Sequence, residues 1–262
     1  MAGPFETTPP RTTCLNPSAS GGDVLLVHGA WHGAWCWESL TPGLTATGWR
    51  VHLLDLPGHG ADVWALPAMT SIKHYADYVG RCVEAIGAPA LIGHSLGGWI
   101  VQKLLETRDL PAALICPLPG GGLPLLGLLR LMAAYPLATT GTFLGRPLRI
   151  ADEAMARRLF HPRIPVAELR ANLARMVAEP ARVMIEMGLG LARARAAAGA
   201  RPRLVIAAED DFFIAASALE RLARRMSARL ALLPGYPHNP WVDDERGLVL
   251  QELQRFLAEA AK

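Results

Sequence analysis

Six short apolar runs recur along this chain, and each ends in turn residues. They are Val24–Val27 before His28-Gly29, Val51–Leu54 before Asp55-Leu56-Pro57-Gly58, Ala90–Ile92 before Gly93-His94-Ser95, Ala112–Cys116 before Pro117, Leu204–Ala207 before Glu209-Asp210-Asp211, and Leu230–Leu233 before Pro234-Gly235. Runs of this kind lack the regular apolar–polar alternation of a half-solvated strand and suit strands buried on both faces, as in a parallel sheet. Helical patterns lie between them. Ile72, Tyr75, Val79, Val83 and Ile86 recur at helical spacing with Gly87 as a stop, Leu96–Glu106 follows the third run, and Leu248, Leu253, Phe256 and Leu257 mark a C-terminal helix. Strand–helix alternation predicts an α/β fold with a mostly parallel, doubly wound sheet, whose active site lies beyond the carboxyl ends of the strands.

One block breaks the alternation. Residues 119–200 hold no clear strand; the first part is rich in Gly, Leu and Pro, the second in helix-forming Ala, Leu, Met and Arg. The expected organisation is a core of residues 23–118 and 201–262, with 119–200 inserted as a helical cap and 1–22 as a loose tail. The apolar stretch Leu123–Met132 reads equally as the lining of an acyl pocket and as packing of the cap on the core.

Composition removes several classes of function. The 262 residues carry a formal net charge of +3 with no clustered basic run, so no nucleic-acid partner is expected. Cys14, Cys36, Cys82 and Cys116 are scattered, without a CxxC pair or metal-type spacing, which reads as small buried hydrophobes in a reducing compartment and no metal site. The N-terminus lacks the charged start and apolar run of a secretory signal. No uninterrupted apolar stretch is long enough for a membrane span. A soluble cytoplasmic protein is expected, its oligomeric state open.

Gly93-His94-Ser95-Leu96-Gly97 matches G-x-S-x-G after an apolar strand run and before a helix, the context in which that pattern carries chemistry. A serine on a tight strand-to-helix turn needs glycine two residues to either side, and the helix start offers backbone N–H groups to a developing oxyanion. A serine hydroxyl needs a base. Among eight histidines His238 stands after the last strand run, where the chain order Ser, acid, His puts it. The acid that orients it should follow the preceding strand; Asp210 and Asp211 both qualify, and Asp211 fits the strand end better. The oxyanion donors are expected from the N–H groups of Leu96 and of Ala30, with Gly29 allowing close backbone approach.

From about Val24 onward the chain resembles the α/β-hydrolase superfamily. Val27-His28-Gly29-Ala30-Trp31-His32-Gly33-Ala34-Trp35-Cys36-Trp37 is similar to the signature of its methylesterase and hydroxynitrile lyase branch, and Asp55-Leu56-Pro57-Gly58-His59-Gly60 and Gly93-His94-Ser95-Leu96-Gly97-Gly98 to motifs of the superfamily at large. The resemblance implies cofactor-free hydrolysis of a small hydrophobic ester through an acyl-enzyme on Ser95. Two other readings stand beside it. The lyases of the branch carry a threonine where Gly29 stands and a lysine directly after the catalytic histidine, where this chain has Asn239. Some members of the superfamily act as small-molecule receptors. Trp31, Trp35 and Trp37 read as core more than pocket, and Phe212 and Phe213 as even between the two. Arg157, Arg158, Arg170 and Arg175 read as a solvated helix face, and His161 as a surface residue.

Overall fold

The computed structural model describes residues 9–60, 66, 67, 69–195, 199–242, 244 and 246–262. Seven strands form one sheet: β1 (Thr13–Leu15), β2 (Asp23–Val27), β3 (Arg50–Leu53), β4 (Ala90–His94), β5 (Ala112–Ile115), β6 (Arg203–Ala208) and β7 (Arg229–Leu233). Their order is β1-β3-β2-β4-β5-β6-β7, parallel throughout except where β1 pairs with β3. The apolar runs of the sequence are strands β2 to β7.

Helices α1 (Thr41–Thr45), α2 (Ile72–Ile86) and α3 (Leu96–Leu104) connect the first strands. Between β5 and β6 the chain inserts α4 (Leu125–Ala134), α5 (Pro136–Phe143), α6 (Glu153–Leu159), α7 (Val166–Arg175) and α8 (Ala181–Leu189). Helices α9 (Ala216–Met226) and α10 (Leu248–Ala260) complete the fold. Helix α2 starts at a capping box, in which the Ser71 N–H donates to Nδ1 of His74, and stops at Gly87 with φ of 93°. Only a residue free of the Cβ penalty ends a helix in that conformation at no cost.

The packing explains why the inner strand runs do not alternate, whereas β7, at the sheet edge, buries Ala231 and Leu233 and leaves Leu230 and Leu232 exposed, against the expectation of burial on both faces. Leu25, Val27, Leu91, Leu114 and Val205 enter one core with Tyr75 and Val79 of α2 and Leu222 of α9. Their chain neighbours Leu26, Ile92, Ile115 and Ile206 enter a second core with Leu44 of α1 and Leu253 of α10. Successive strand side chains point to opposite faces, so a strand covered on both sides is apolar at every position. The inserted helices join the first core through Leu131, Leu159, Leu169 and Met184. Among the described residues no helix is long and apolar enough to cross a membrane.

The expected loose tail over 1–22 needs correction. Residues 1–8 lie outside the described residues, but Thr13–Leu15 form an edge strand with Cys14 opposite His52, and Leu15 packs against the second core. A three-residue edge strand has one neighbour and partial burial, so little in its sequence is constrained.

Candidate active site

The strand order reverses between β2 and β4, which opens a crevice at their carboxyl ends. The register sets Val27 beside Gly93, so the loop at His28–Trp31 and the turn at Ser95 leave the sheet side by side. Ser95 has φ of 51° and ψ of −115°. For a residue with a Cβ this conformation costs about 1–3 kcal/mol and persists only where the surroundings impose it. They do so here. A Cβ at position 97 would lie 2.2 Å from the Val27 carbonyl oxygen, and one at position 93 would lie 2.7 Å from that of Gly97.

Three side chains from three loops meet at this turn. The Ser95 hydroxyl lies 3.0 Å from Nε2 of His238, and Nδ1 of His238 lies 2.7 Å from Oδ2 of Asp211. The other oxygen of Asp211 accepts from the N–H groups of Phe213, at 2.8 Å, and Ile214, at 3.0 Å. The carboxylate is thereby buried, fixed and saturated. Asp210, the other sequence candidate, is exposed and contributes its N–H to the Tyr236 carbonyl. The His238 backbone is held as well, its carbonyl accepting from Nε2 of His94 at 3.1 Å, and its ring lies edge-on to Phe213.

Among the described residues, the N–H groups of Ala30 and Leu96 donate to no protein acceptor. Leu96 is the first residue of α3, where a helix leaves its N–H groups unpaired and carries partial positive charge. A Cβ at Gly29 would come within 3.0 Å of the Ser95 Cβ and 2.8 Å of Nδ1 of His94, so a side chain there would crowd the serine. Asp55 accepts the Ala34 N–H at 2.6 Å and fixes the far end of the same loop.

Glu179 belongs to no motif of the sequence. It comes from the inserted block, is fully buried, and accepts from the Trp31 N–H at 3.0 Å, from Nε2 of His59 at 2.8 Å and from the Tyr75 hydroxyl at 3.2 Å. Burial opposes both charges, but the pair outweighs it: the Glu179 carboxyl is held below its ordinary range and the His59 imidazole above its own. Trp31 has φ of 63°, and two further bonds hold it: its indole donates to the Leu148 carbonyl and its own carbonyl accepts from the Val177 N–H. The residue after Ala30 is thus pinned to the inserted block. Trp31 and Glu179 are 148 positions apart, so no local pattern announces the pairing.

His161 is not the surface residue its sequence position suggests. It is buried, with its ring nitrogen 3.5 Å from the Asn239 amide, which also lies 3.0 Å from His32. Burial pushes the His161 imidazole down to about 3 and that of His32 to about 4, so both stay neutral. The four arginines read as a solvated face are engaged by the protein: Arg157 bonds to the Pro162 and Ile164 carbonyls, Arg158 lies over Phe212, Arg170 bonds to Glu153, and Arg175 bonds to Glu38 while lying over Trp35. Trp37 is core, and Trp31 and Phe213 are buried in the core and also line the pocket over Ser95. Cys116, Asp211 and His238 are close enough to suggest a metal. The Cys116 thiol, however, is pushed well up by burial and the nearby Asp211 charge, and stays protonated. A protonated thiol is a poor ligand, and the Asp211–His238 bond already uses both partners.

The space above Ser95 is apolar. Leu118, Leu123, Leu131 and Met184 line it together with Trp31 and Phe213. Leu123–Met132 is therefore in part pocket lining, and Leu131 is also core.

Residues 24–251 match the model of the "Alpha/beta hydrolase family". The chain belongs to that family. Within it, this α/β hydrolase is 39% identical to methyl jasmonate esterase 1 of Vitis vinifera over 85 residues, 31% of this chain and 33% of the relative. It is 38% identical to salicylic acid-binding protein 2 of Nicotiana tabacum over 89 residues, 33% of this chain and 34% of the relative. The chain thus spans about a third of the length of these curated relatives. The bromoperoxidase of Bacillus anthracis shares the fold, with a TM-score of 0.73 at 16% identity over 94% of each chain.

Proposed function

We propose that this α/β hydrolase cleaves carboxylic esters through an acyl-enzyme on Ser95. The observation that carries the reading is the relay from Asp211 through His238 to Ser95, at 2.7 and 3.0 Å, opening onto an apolar pocket. In this mechanism the Ser95 oxygen attacks the ester carbonyl carbon while Nε2 of His238 takes its proton. Asp211 keeps the proton on Nδ1 and stabilises the imidazolium. The carbonyl oxygen, now negative, accepts from the N–H groups of Ala30 and Leu96, each worth on the order of 100- to 1000-fold in rate. Collapse of the adduct expels the alkoxide, which leaves as the alcohol with the proton from His238. Water, deprotonated by His238, then attacks the acyl-enzyme and releases the acid. Every step uses side chains and backbone of this chain and needs no cofactor. In this reading residues 119–200 act as a cap over the core of 23–118 and 201–262.

Esterase names among the relatives support this reading over cyanohydrin cleavage, and so does the site. A departing cyanide needs a nearby cation, and the residue after His238 is the neutral Asn239, flanked by the neutral His32 and His161. The test is turnover by wild type and Ser95→Ala on p-nitrophenyl esters from acetyl to palmitoyl, with mandelonitrile in parallel. Ester hydrolysis lost in the variant is expected. Release of cyanide without ester turnover would move the protein to the lyases, and saturable ligand binding with no turnover of either would make it a receptor.

A further inference from the structure

The apolar pocket over Ser95 opens into a larger apolar surface that the hydrolase reading does not use. Met132, Phe143 and Leu189 line the pocket and are also 38%, 48% and 48% exposed. Around them α4 turns Leu125, Leu126 and Leu129 to solvent, α5 adds Leu137 at 89% exposure and Leu144 just beyond it, and Leu191 follows α8. These helices adjoin one another, α5 packing on both α4 and α8. Isolated exposed leucines are ordinary; a concentration of exposed apolar residues on three adjoining helices, three of them also lining the pocket, marks a docking face.

Charge says what covers it. Residues 119–200 contain eleven arginines, no lysine and five acidic residues, a net charge of +6, and since the whole chain carries +3 the other 180 residues carry −3. No Asp or Glu occurs from Leu123 to Arg149, and Glu186, the acidic residue of α8, is ion-paired with Arg182. Arg130, Arg146 and Arg193 stand beside the exposed leucines, are exposed themselves, and among the described residues have no ion-pair partner. A second copy docked through the same face by two-fold symmetry would bring these cations against their own kind. An anionic lipid surface would take the leucines into its acyl boundary and the arginines among its headgroups.

We propose that this face seats the enzyme on an anionic lipid–water interface, from which a hydrophobic ester passes between Met132, Phe143 and Leu189 to Ser95 without crossing water. The ester part of this inference rests on the function proposed above; the docking part does not, and the two are tested apart. Docking is measured on Ser95→Ala, which turns nothing over, by co-sedimentation with vesicles of phosphatidylcholine alone or mixed one to one with phosphatidylglycerol. Turnover is measured on the active enzyme with soluble p-nitrophenyl acetate. The expected result is sedimentation with the anionic vesicles, weakened by salt. The double change Leu129→Glu with Leu137→Glu, at positions outside the pocket, should lower partitioning by about tenfold or more and leave acetate hydrolysis unchanged. No sedimentation, or sedimentation unaffected by the double change, would overturn the docking proposal. So would a dimer in solution that the double change splits into monomers, which would assign the face to a second copy. Loss of acetate hydrolysis in the otherwise intact parent would count against the ester reading alone.

Discussion

At the scale of single residues, the two neighbouring aspartates differ in environment more than in chemistry. Asp211 is buried with both oxygens engaged, one by His238 and one by two backbone N–H groups, while Asp210 faces solvent. Asp211→Asn should lower kcat for ester hydrolysis by on the order of 10^4, because an amide favours the wrong imidazole tautomer; Asp210→Asn should leave it near wild type. Steady-state kinetics on one soluble ester separates the two, and equal losses would mean that the relay is mis-assigned. Ser95 and His238 were legible in the sequence because the steric demands of the turn and the chain order of the parts leave few alternatives. Asp211 was legible only as one of a pair, since the choice depends on which way a loop turns after β6. His161 was misread because the sequence does not show that the segment after α6 folds inward onto Asn239.

At the scale of elements, the strand runs and α2 were readable because burial on both sheet faces and helical spacing leave periodic marks. The arrangement of α4 to α8 was not, because those helices pack by long-range contacts. Glu179 makes the point: it reaches Trp31, His59 and Tyr75 across more than 100 positions in each case. Glu179→Gln removes one charge of a buried pair and should cost about 3–5 kcal/mol, since it leaves His59 without its partner. The same change loosens the strained Trp31 and should lower kcat more than it raises KM, because the Ala30 donor acts on the oxyanion and not on the ground state. Chemical denaturation alongside steady-state kinetics checks both; unaltered kcat in a folded variant would exclude the positioning role. The pocket offers an independent test. Leu128 lies on α4 facing the pocket, so Leu128→Trp should move the preferred acyl chain toward shorter esters without loss on acetate. An unmoved optimum would place the acyl chain elsewhere.

At the scale of the whole molecule, the buried histidines set the dependence of stability on pH. His28, His32, His94 and His161 have imidazoles held below their ordinary value of 6.5, burial being the largest cause in each. The unfolded chain binds protons at these positions before the folded one does, so stability is full above pH 6.5 and falls as pH drops below it, toward 4 for His32. Each such histidine contributes a slope of about 1.4 kcal/mol per pH unit inside its window. His59 works the other way, since Glu179 raises it, but it is one against four. Denaturant midpoints should therefore fall steeply from pH 6.5 to 5, with His59 alone drawing them down as pH rises above 6.5, and a midpoint that rose between pH 6.5 and 5 would contradict the burial of the four lowered rings. The sheet was visible in the sequence as a repeating pattern of apolar runs, whereas the apolar, basic outer face of α4, α5 and α8 was not, because exposure is a property of the folded surface.

A Ser95 activated by His238 and Asp211 should react as a nucleophile where an ordinary serine does not. The most direct measurement is covalent labelling with a fluorophosphonate, read by intact mass and peptide mapping on wild type, Ser95→Ala and Asp211→Asn. A single adduct on Ser95 in the wild type, absent in Ser95→Ala and formed far more slowly in Asp211→Asn, is the expected result. A native protein that stays unlabelled, or carries the adduct on another residue, would contradict the account.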